Sequence, residues 1–304
     1  MKIKVHDIMF NAFCFIVLFM GSSLFSACDK GKPKTTEPPV FGEMGEPSQM
    51  EIYLWHEENM PATTSLQSVA NSGNPDGPDF RPNMIRFPVE EGIPVKGAVL
   101  LCAGGAFQFR GNAGDCFPTA RGLSELGYQC FVVNYRLRPY TQQEGALDLA
   151  RAVRFVRHYA DYYGIREDRI VVAGFSAGGI LCGEQVLNYR GLVNGSSLDS
   201  RYVPDELDKV SADVKGIAHI YSFYGRLSVA STDVELFKRS NLPPTYFLYG
   251  SQEVFRGQIE SCANAVRQAG APVESRMLDG LQHGFGGRGN WFEGFDTWMT
   301  EIFE

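Results

Sequence analysis

The stretch that decides the fold runs from residue 170 to residue 183 and reads IVVAGFSAGGILCG. Its first three residues are β-branched and predict a buried strand, and the small residues after Ser176 predict a helix. Between them, GFSAG at 174–178 predicts a sharp turn, because its two glycines leave room for a strained backbone. The serine hydroxyl would then project from the end of a sheet, at the positive N-terminus of the next helix. That arrangement suits a nucleophile that attacks an ester carbonyl.

A glycine-rich turn with a bystander serine is the alternative. The pattern Gly-x-Ser-x-Gly has only three fixed residues, and the chain contains 33 glycines in 304 residues. The strand signal before the turn and the helix signal after it favour the nucleophile.

The composition restricts the classes of function. The chain is 44% hydrophobic and 21% charged, which is enough to bury a large core. A net charge of −7, with no long basic run after the first few residues, argues against a nucleic-acid partner. The spacing of cysteine and histidine does not match a zinc site. Cys102 and Cys130 lie in apolar runs and are interpreted as small buried hydrophobes, with no disulfide required.

The first 28 residues predict a lipoprotein-type signal peptide. Two early lysines precede a mostly apolar stretch at 8–25, and small residues lie directly before Cys28. This pattern resembles the lipobox of bacterial lipoproteins, in which the signal is cut before the cysteine and lipid is attached to it. An ordinary cleaved signal peptide and an uncleaved anchor are the alternatives. We therefore expect an exported bacterial lipoprotein, periplasmic or on the cell surface, that is anchored to the membrane through its N-terminal lipid.

The rest of the chain predicts one folded domain behind a short linker. Residues 29–49 are rich in Pro, Gly, Lys, Glu and Thr and predict a flexible tether. Over residues 50–304, strand signals alternate with helix signals, and several strands are continuous apolar runs, which is typical of strands covered on both faces. The sequence thus predicts an α/β domain with a mostly parallel, eight-stranded sheet and helices on both faces.

The predicted elements have the following bounds. The strands are expected at 51–55, 83–88, 97–102, 129–135, 169–175, 217–223, 245–249 and 273–278. The helices are expected at 117–126, 147–163, 177–188, 256–268 and 291–302.

Two features leave alternatives open. Arg151, Arg154 and Arg157 form a basic stripe on the helix predicted at 147–163, which is interpreted as a solvated face rather than a phosphate site. The polar insertion at 189–216 either overhangs the serine and shapes a pocket or forms a long surface loop.

A serine hydroxyl is a poor nucleophile until a base removes its proton and an acid orients that base. In this type of fold the chain order is serine, acid, histidine. His283 lies in a glycine-rich loop after the last predicted strand and is the expected base, whereas His219 lies within a strand and is interpreted as a core histidine. Glu253 follows the strand at 245–249 and is the preferred acid. Asp279 is the alternative acid.

A developing oxyanion needs backbone N–H donors. We expect one from Ala177, directly after the nucleophile. The others are expected from Gly104 and Gly105, in the turn after the third predicted strand. A purely structural glycine turn is the alternative.

Aromatic side chains flank the expected site. Phe107, Phe175 and Phe285 are candidates for a substrate pocket, with Phe109 and Tyr140 nearby in sequence. Their faces could pack on a sugar or an aromatic acyl group, and they could equally belong to the core.

These residues together resemble a known family. The chain is similar to the α/β-hydrolase superfamily, and within it to bacterial acetyl-xylan and feruloyl esterases, which are related to the hormone-sensitive-lipase-like esterases. The resemblance covers roughly residues 51–304. Besides the serine turn it depends on four stretches, which are GGAF at 104–107, VNYRL at 133–137, DELDKVS at 205–211 and HGF at 283–285.

The resemblance implies ester hydrolysis through an acyl-enzyme intermediate, without a metal or an organic cofactor. It also implies the roles already given to Ser176, His283 and Glu253, although the acid of this family is more often Asp. We expect short acyl esters as substrates, such as acetyl groups on carbohydrate. A general short-chain carboxylesterase is the first alternative, and a non-catalytic surface binding protein on a hydrolase scaffold is the second.

Overall fold

A computed structural model of the chain describes residues 43–65 and 75–304. The predicted signal peptide, Cys28 and most of the predicted tether lie outside the described residues. Residues 43–49 were expected to belong to the tether, but they contact the domain. The Gly45 N–H donates to the carbonyl of Tyr53 at 3.1 Å, and the guanidinium of Arg81 donates to the carbonyl of Glu43 at 3.0 Å. The folded domain therefore begins before residue 50.

The described residues form an eight-stranded sheet, as predicted. Its strands are β1 (Glu51–Tyr53), β2 (Asn83–Phe87), β3 (Gly97–Cys102), β4 (Tyr128–Asn134), β5 (Ile170–Phe175), β6 (Gly216–Ile220), β9 (Thr245–Gln252) and β10 (Val273–Gln282). They lie in the order β1-β2-β4-β3-β5-β6-β9-β10. β2 pairs antiparallel with β1 and β4, and the remaining pairs are parallel. A short hairpin, β7 (Gly225–Arg226) and β8 (Val229–Ala230), forms a separate sheet.

Helices cover both faces of the sheet. They are α1 (Cys116–Glu125), α2 (Gln142–His158), α3 (Ala160–Tyr163), α4 (Ala177–Asn188), α5 (Val234–Ser240), α6 (Arg256–Gln268) and α7 (Phe292–Phe303). Residues of α2, α4 and α6 pack into the core on one face, and residues of α1 and α7 pack into the core on the other. Within 43–65 and 75–304, no helix combines the length and the apolar character needed to cross a membrane.

Helix α2 begins five residues before its predicted start, at Gln142 rather than at 147. Thr141 accepts a hydrogen bond from the Glu144 N–H, and the Glu144 carboxylate accepts one from the Thr141 N–H. This reciprocal capping box satisfies two of the free N–H groups at the helix start.

The arginine stripe of α2 is buried, so its interpretation as a solvated face is wrong. The side chains of Arg151 and Arg154 have no exposed surface, and Arg157 is half-buried. Their guanidinium groups bind the insertion at 189–216. The bound groups are the Asp205 carboxylate and the carbonyls of Gly191, Val193, Val210, Ser211 and Asp213.

The insertion does not overhang the serine. It follows the C-terminal end of α4, whose 12 residues separate that end from Ser176 by about 18 Å. It then leads into the first residue of β6, at the N-terminal end of that strand, whereas Ser176 lies at the C-terminal end of β5. Of the two alternatives for 189–216, the structure shows a surface segment, and it is docked on α2.

The five described cysteines are buried and carry free thiols. They are Cys102, Cys116, Cys130, Cys182 and Cys262. The interpretation of Cys102 and Cys130 as small buried hydrophobes is confirmed.

Candidate active site

Ser176 lies between the last residue of β5 and the first residue of α4. Its backbone has φ 50 and ψ −118, a conformation that residues other than glycine rarely adopt and that marks a strained turn. The turn fits closely against β3, because a Cβ atom at Gly178 would overlap the carbonyl oxygens of Cys102 and Ala103. The Ser222 hydroxyl donates to the carbonyl of Ser176 at 2.6 Å and holds the turn from its other side. The local sequence therefore folds as the sharp turn expected of it.

The structure brings together the three side chains proposed for catalysis. Ser176 Oγ lies 2.9 Å from His283 Nε2. On the other side of the ring, His283 Nδ1 lies 2.9 Å from Glu253 Oε1 and 3.0 Å from Oε2. With its proton on Nδ1, the imidazole donates to Glu253 and leaves Nε2 free to accept the proton of Ser176.

The carboxylate beside the ring belongs to Glu253 and not to Asp279. Glu253 follows β9, its side chain is fully buried, and its Oε1 also accepts the Phe255 N–H at 3.0 Å. Asp279 is exposed and accepts a hydrogen bond from Ser251 Oγ at 3.1 Å. The buried carboxylate is thus fixed in place by a backbone donor as well as by the imidazole.

His283 follows the last residue of β10 and is accessible from outside. Its side chain is 31% exposed, and its ring meets those of Tyr221 and Phe255 edge to face, with centroids 5.0 Å and 5.6 Å away. These two rings fix the imidazole plane and leave one side of it open.

Gly104, proposed as an oxyanion donor, is not available for that role. Its N–H already donates to Asp115 Oδ2 at 2.9 Å. Among the described residues, no acceptor is present for the N–H groups of Gly105, Ala106 and Ala177. The available donors are therefore the two other proposed residues and Ala106, which we did not predict. We call residues 103–107 the oxyanion loop.

Two of the proposed pocket residues belong to the core. Phe175 and Phe285 are 0% and 1% exposed, and their rings pack on Tyr221 at 5.8 Å and 4.7 Å. Because a buried ring cannot contact substrate, their assignment to the pocket is wrong. Phe107 is half-buried and borders a cavity of about 190 Å³, which is also lined by Tyr140 and Leu227.

His219 is a core residue, as expected from its place in a strand. Its side chain is fully buried, stacked on Phe247 with ring centroids 5.2 Å apart and packed against Tyr224 at 4.4 Å. Burial lowers the pKa of its imidazole to about 3. This histidine is therefore neutral at ordinary pH.

The site offers a hydroxyl, an imidazole, a buried carboxylate and free N–H groups at one edge of the sheet. These are the groups needed for acyl transfer through a covalent intermediate. Among residues 43–65 and 75–304, no group of three or more His, Cys, Asp or Glu side chains is arranged to hold a metal ion.

The strand order, the serine turn and the positions of the acid and the histidine after later strands define an α/β-hydrolase. Within that class the chain belongs to the BD-FAE family, whose model matches residues 85–261. The matched region contains Ser176 and Glu253, and His283 lies beyond it.

The chain is similar to carboxylic ester hydrolases. It is 25% identical to esterase LipQ of Mycobacterium tuberculosis over 75% of this chain and 60% of that protein. It is 30% identical to an acetylxylan esterase of Xylanibacter ruminicola over 34% of this chain and 21% of that protein. The matches thus span less than two thirds of these curated relatives.

A solved structure has the same fold. It is an acetyl ester-xyloside bifunctional hydrolase from Caldicellulosiruptor lactoaceticus, with a TM-score of 0.63 and 23% identity. The match covers 86% of this chain and 97% of that one.

Proposed function

We propose that this chain is a serine esterase in which Ser176 is the nucleophile, His283 the general base and Glu253 the acid that orients the imidazole. The distance of 2.9 Å between Ser176 Oγ and His283 Nε2 carries this proposal. The esterases among the relatives support the same class of reaction.

In the first half of the reaction, Ser176 Oγ bonds to the ester carbonyl carbon and its proton passes to His283 Nε2. The carbonyl oxygen becomes an oxyanion and accepts hydrogen bonds from the N–H groups of Gly105, Ala106 and Ala177. The imidazolium, stabilised by Glu253, then gives its proton to the leaving alcohol as the carbon–oxygen bond breaks. An acyl group is left on Ser176.

In the second half, water takes the place of the alcohol. His283 removes one of its protons while its oxygen bonds to the acyl carbon. Collapse of the second tetrahedral intermediate returns the proton to Ser176 Oγ and releases the carboxylic acid.

The proposed substrates are short acyl esters, such as acetyl groups on carbohydrate. The cavity beside Phe107 measures about 190 Å³. It adjoins Ala106 and Phe107 of the oxyanion loop, and neither Ser176 nor His283 lines it, so its volume does not limit the acyl group. Similarity to an acetylxylan esterase and to an acetyl ester-xyloside hydrolase supports the acetylated sugar.

Turnover of para-nitrophenyl acetate by the full chain tests the reaction. We expect a burst of nitrophenol as the acyl-enzyme forms, and a loss in kcat of at least about 1,000-fold in Ser176→Ala. Equal rates in the two proteins would instead favour a binding protein on a hydrolase scaffold.

A substrate series tests the specificity. Aryl esters with acetyl, butyryl and octanoyl groups should show kcat/KM falling with chain length, and acetylated xylan should release acetate. Hydrolysis of the aryl esters without release of acetate from the polymer would identify a general short-chain carboxylesterase.

We also propose that Cys28, which lies outside the described residues, carries lipid and anchors the chain in an exported compartment. The lipobox-like residues before it support this proposal. Radiolabelled palmitate should label the wild-type chain and not Cys28→Ala. Equal labelling of both, or none of either, would contradict it.

A further inference from the structure

Asp115 lies beside the site and takes no part in the proton transfers proposed above. It precedes α1, where an aspartate usually accepts hydrogen bonds from the first turn, but its side chain makes no capping bond. Instead, Oδ2 accepts the Gly104 N–H at 2.9 Å, and Oδ1 accepts the Tyr221 O–H at 2.5 Å. One half-buried carboxylate thus connects the oxyanion loop to the end of β6.

The two hydrogen bonds of Gly104 fix the peptide planes on both sides of it, and the second of these planes contains the Gly105 N–H. The Gly104 N–H binds Asp115, and the Gly104 carbonyl accepts the Gly111 N–H at 2.9 Å. In a planar trans peptide, a carbonyl and the following N–H point in opposite directions, so the Gly105 N–H points away from Gly111. The loop also lies directly on the nucleophile, because a Cβ at Gly104 would be 3.1 Å from Ser176 Cβ.

Tyr221 links the same carboxylate to the base. Its φ of 41 is unusual for an aromatic residue, and its N–H donates to the Leu248 carbonyl at 2.6 Å. This backbone directs the phenol toward Asp115, while the ring packs on the imidazole of His283. Burial raises the pKa of Asp115, and the hydrogen bonds from Tyr221 and Gly104 oppose that rise by stabilising the ionised carboxylate.

We propose that Asp115 is a positioning residue that holds the Gly105 N–H over Ser176 and holds Tyr221 against His283. This inference rests on the proposed esterase function. Two donors converge on the carboxylate, and both of its oxygens accept. An asparagine of the same shape has only one oxygen, so its NH₂ group must face one of the two donors. The neutral amide therefore releases one end of the bridge.

The experiment compares Asp115→Asn with wild type on para-nitrophenyl acetate. We expect kcat to fall about 30-fold while KM changes less than about threefold, because a misdirected oxyanion donor weakens binding of the transition state more than of the substrate. Affinity for phenylboronic acid, which forms a tetrahedral adduct with the serine, should fall in parallel with kcat. A merely structural role would not produce this parallel.

Tyr221→Phe is a second and milder variant. It removes one donor and leaves the Gly104 bond in place, so we expect a fall in kcat of about 3- to 10-fold. Because both substitutions interrupt the same bridge, the double variant should lose less than the product of the two single losses.

Asp296→Asn is the matched control. Asp296 accepts the Tyr128 O–H at 2.6 Å and the Lys96 ammonium at 2.7 Å, and Tyr128 begins β4 at the opposite edge of the sheet. We expect its kcat to equal that of wild type. The inference is overturned if Asp115→Asn keeps wild-type kcat, or loses activity only in proportion to its folded fraction by near-ultraviolet circular dichroism. Activity that survives Ser176→Ala would overturn the esterase function itself.

Discussion

At the scale of single residues, the two carboxylates in reach of the last strands differ in their surroundings. Glu253 is buried and is held by the Phe255 N–H as well as by the imidazole. Asp279 is exposed and bound to Ser251. A carboxylate orients a histidine only if it is itself fixed, so burial and the extra donor favour Glu253 in the proposed role.

Glu253→Gln should reduce kcat/KM for para-nitrophenyl acetate by about 100- to 10,000-fold. The neutral amide no longer stabilises the imidazolium, and its NH₂ group can turn toward Nδ1 and favour the unproductive tautomer. Steady-state kinetics of the purified variant measures this loss.

Asp279→Asn removes a carboxylate from the same region of the fold and is the control, expected to stay within about twofold of wild type, because Asp279 does not contact the ring. If the asparagine variant at 279 lost as much activity as the glutamine variant at 253, the assignment of the acid would be wrong.

The sequence predicts some of the site residues and misses others, and the difference depends on whether their positions follow from chain order alone. Chain order and strand ends predict Ser176 and His283 and favour Glu253 over Asp279, because parallel strands deliver their carboxyl ends to one edge. The direction of one N–H at Gly104 depends on Asp115, eleven residues later, and no periodic pattern shows it. Likewise, Phe175 is adjacent to the nucleophile in sequence, yet its ring points into the core.

At the scale of elements, the docking of the insertion on α2 decides what the arginine stripe does. Arg154 donates to the carbonyls of Val210, Gly191 and Val193 at 2.9, 3.1 and 2.6 Å. These carbonyls belong to irregular backbone that pairs with no strand, and the Gly191 carbonyl also accepts the Ala212 N–H at 2.8 Å. The arginine stripe therefore supplies hydrogen-bond donors to backbone carbonyls of the insertion, a role that neighbouring strands have in a sheet.

Arg154→Met keeps the aliphatic stem and removes these three hydrogen bonds. We expect the free energy of unfolding to fall by roughly 3 kcal/mol, because three hydrogen bonds worth about 1 kcal/mol each are lost. The kcat of the folded fraction should be unchanged, since the insertion lies far from Ser176. Urea unfolding and steady-state kinetics measure the two quantities.

Arg166→Met is the comparison for this loss. Arg166 is 62% exposed and pairs with Asp168 at the surface, so its replacement should cost less than about 0.5 kcal/mol. Equal losses in the two variants would show that the hydrogen bonds of the buried Arg154 contribute no more to the free energy of unfolding than a surface ion pair does.

Elements with strong local signals are predicted well from this sequence. The bounds of α4 and α6 match their predicted ranges, because the serine turn marks the start of α4 and Gly270 lies just after the end of α6. The role of the stripe was not predictable, because the partners of Arg154 lie 37 to 56 residues later in the chain. A charged residue at helical spacing has the same pattern whether water or a docked segment covers it.

At the scale of the whole molecule, the strand order assembles the site. β5 leads to Ser176, β9 leads to Glu253 and β10 leads to His283, and β6 lies between β5 and β9. The Ser176–His283 hydrogen bond thus connects loops that follow strands three places apart in the sheet. Because the central strands are buried on both faces, the stability of the sheet also determines the geometry of the site.

His219, on β6 in the middle of this sheet, makes that stability depend on pH. Its pKa in the folded protein is lowered to about 3, from 6.5 in the unfolded chain, because burial disfavours the charged ring. The unfolded chain therefore binds this proton first as pH falls. The contribution of the neutral histidine is complete above pH 6.5 and is lost as pH falls from 6.5 toward 3, by roughly 3 kcal/mol at pH 4.

We expect His219→Leu to remove this part of the pH dependence. Between pH 6.5 and pH 4, the free energy of unfolding should fall less steeply in the variant, by about 1.4 kcal/mol per pH unit. Urea unfolding at a series of pH values measures the slope. His158→Leu removes an exposed histidine and should keep the wild-type slope. Parallel curves for wild type and His219→Leu would contradict the prediction, because they would mean that the folded protein binds this proton as readily as the unfolded chain does.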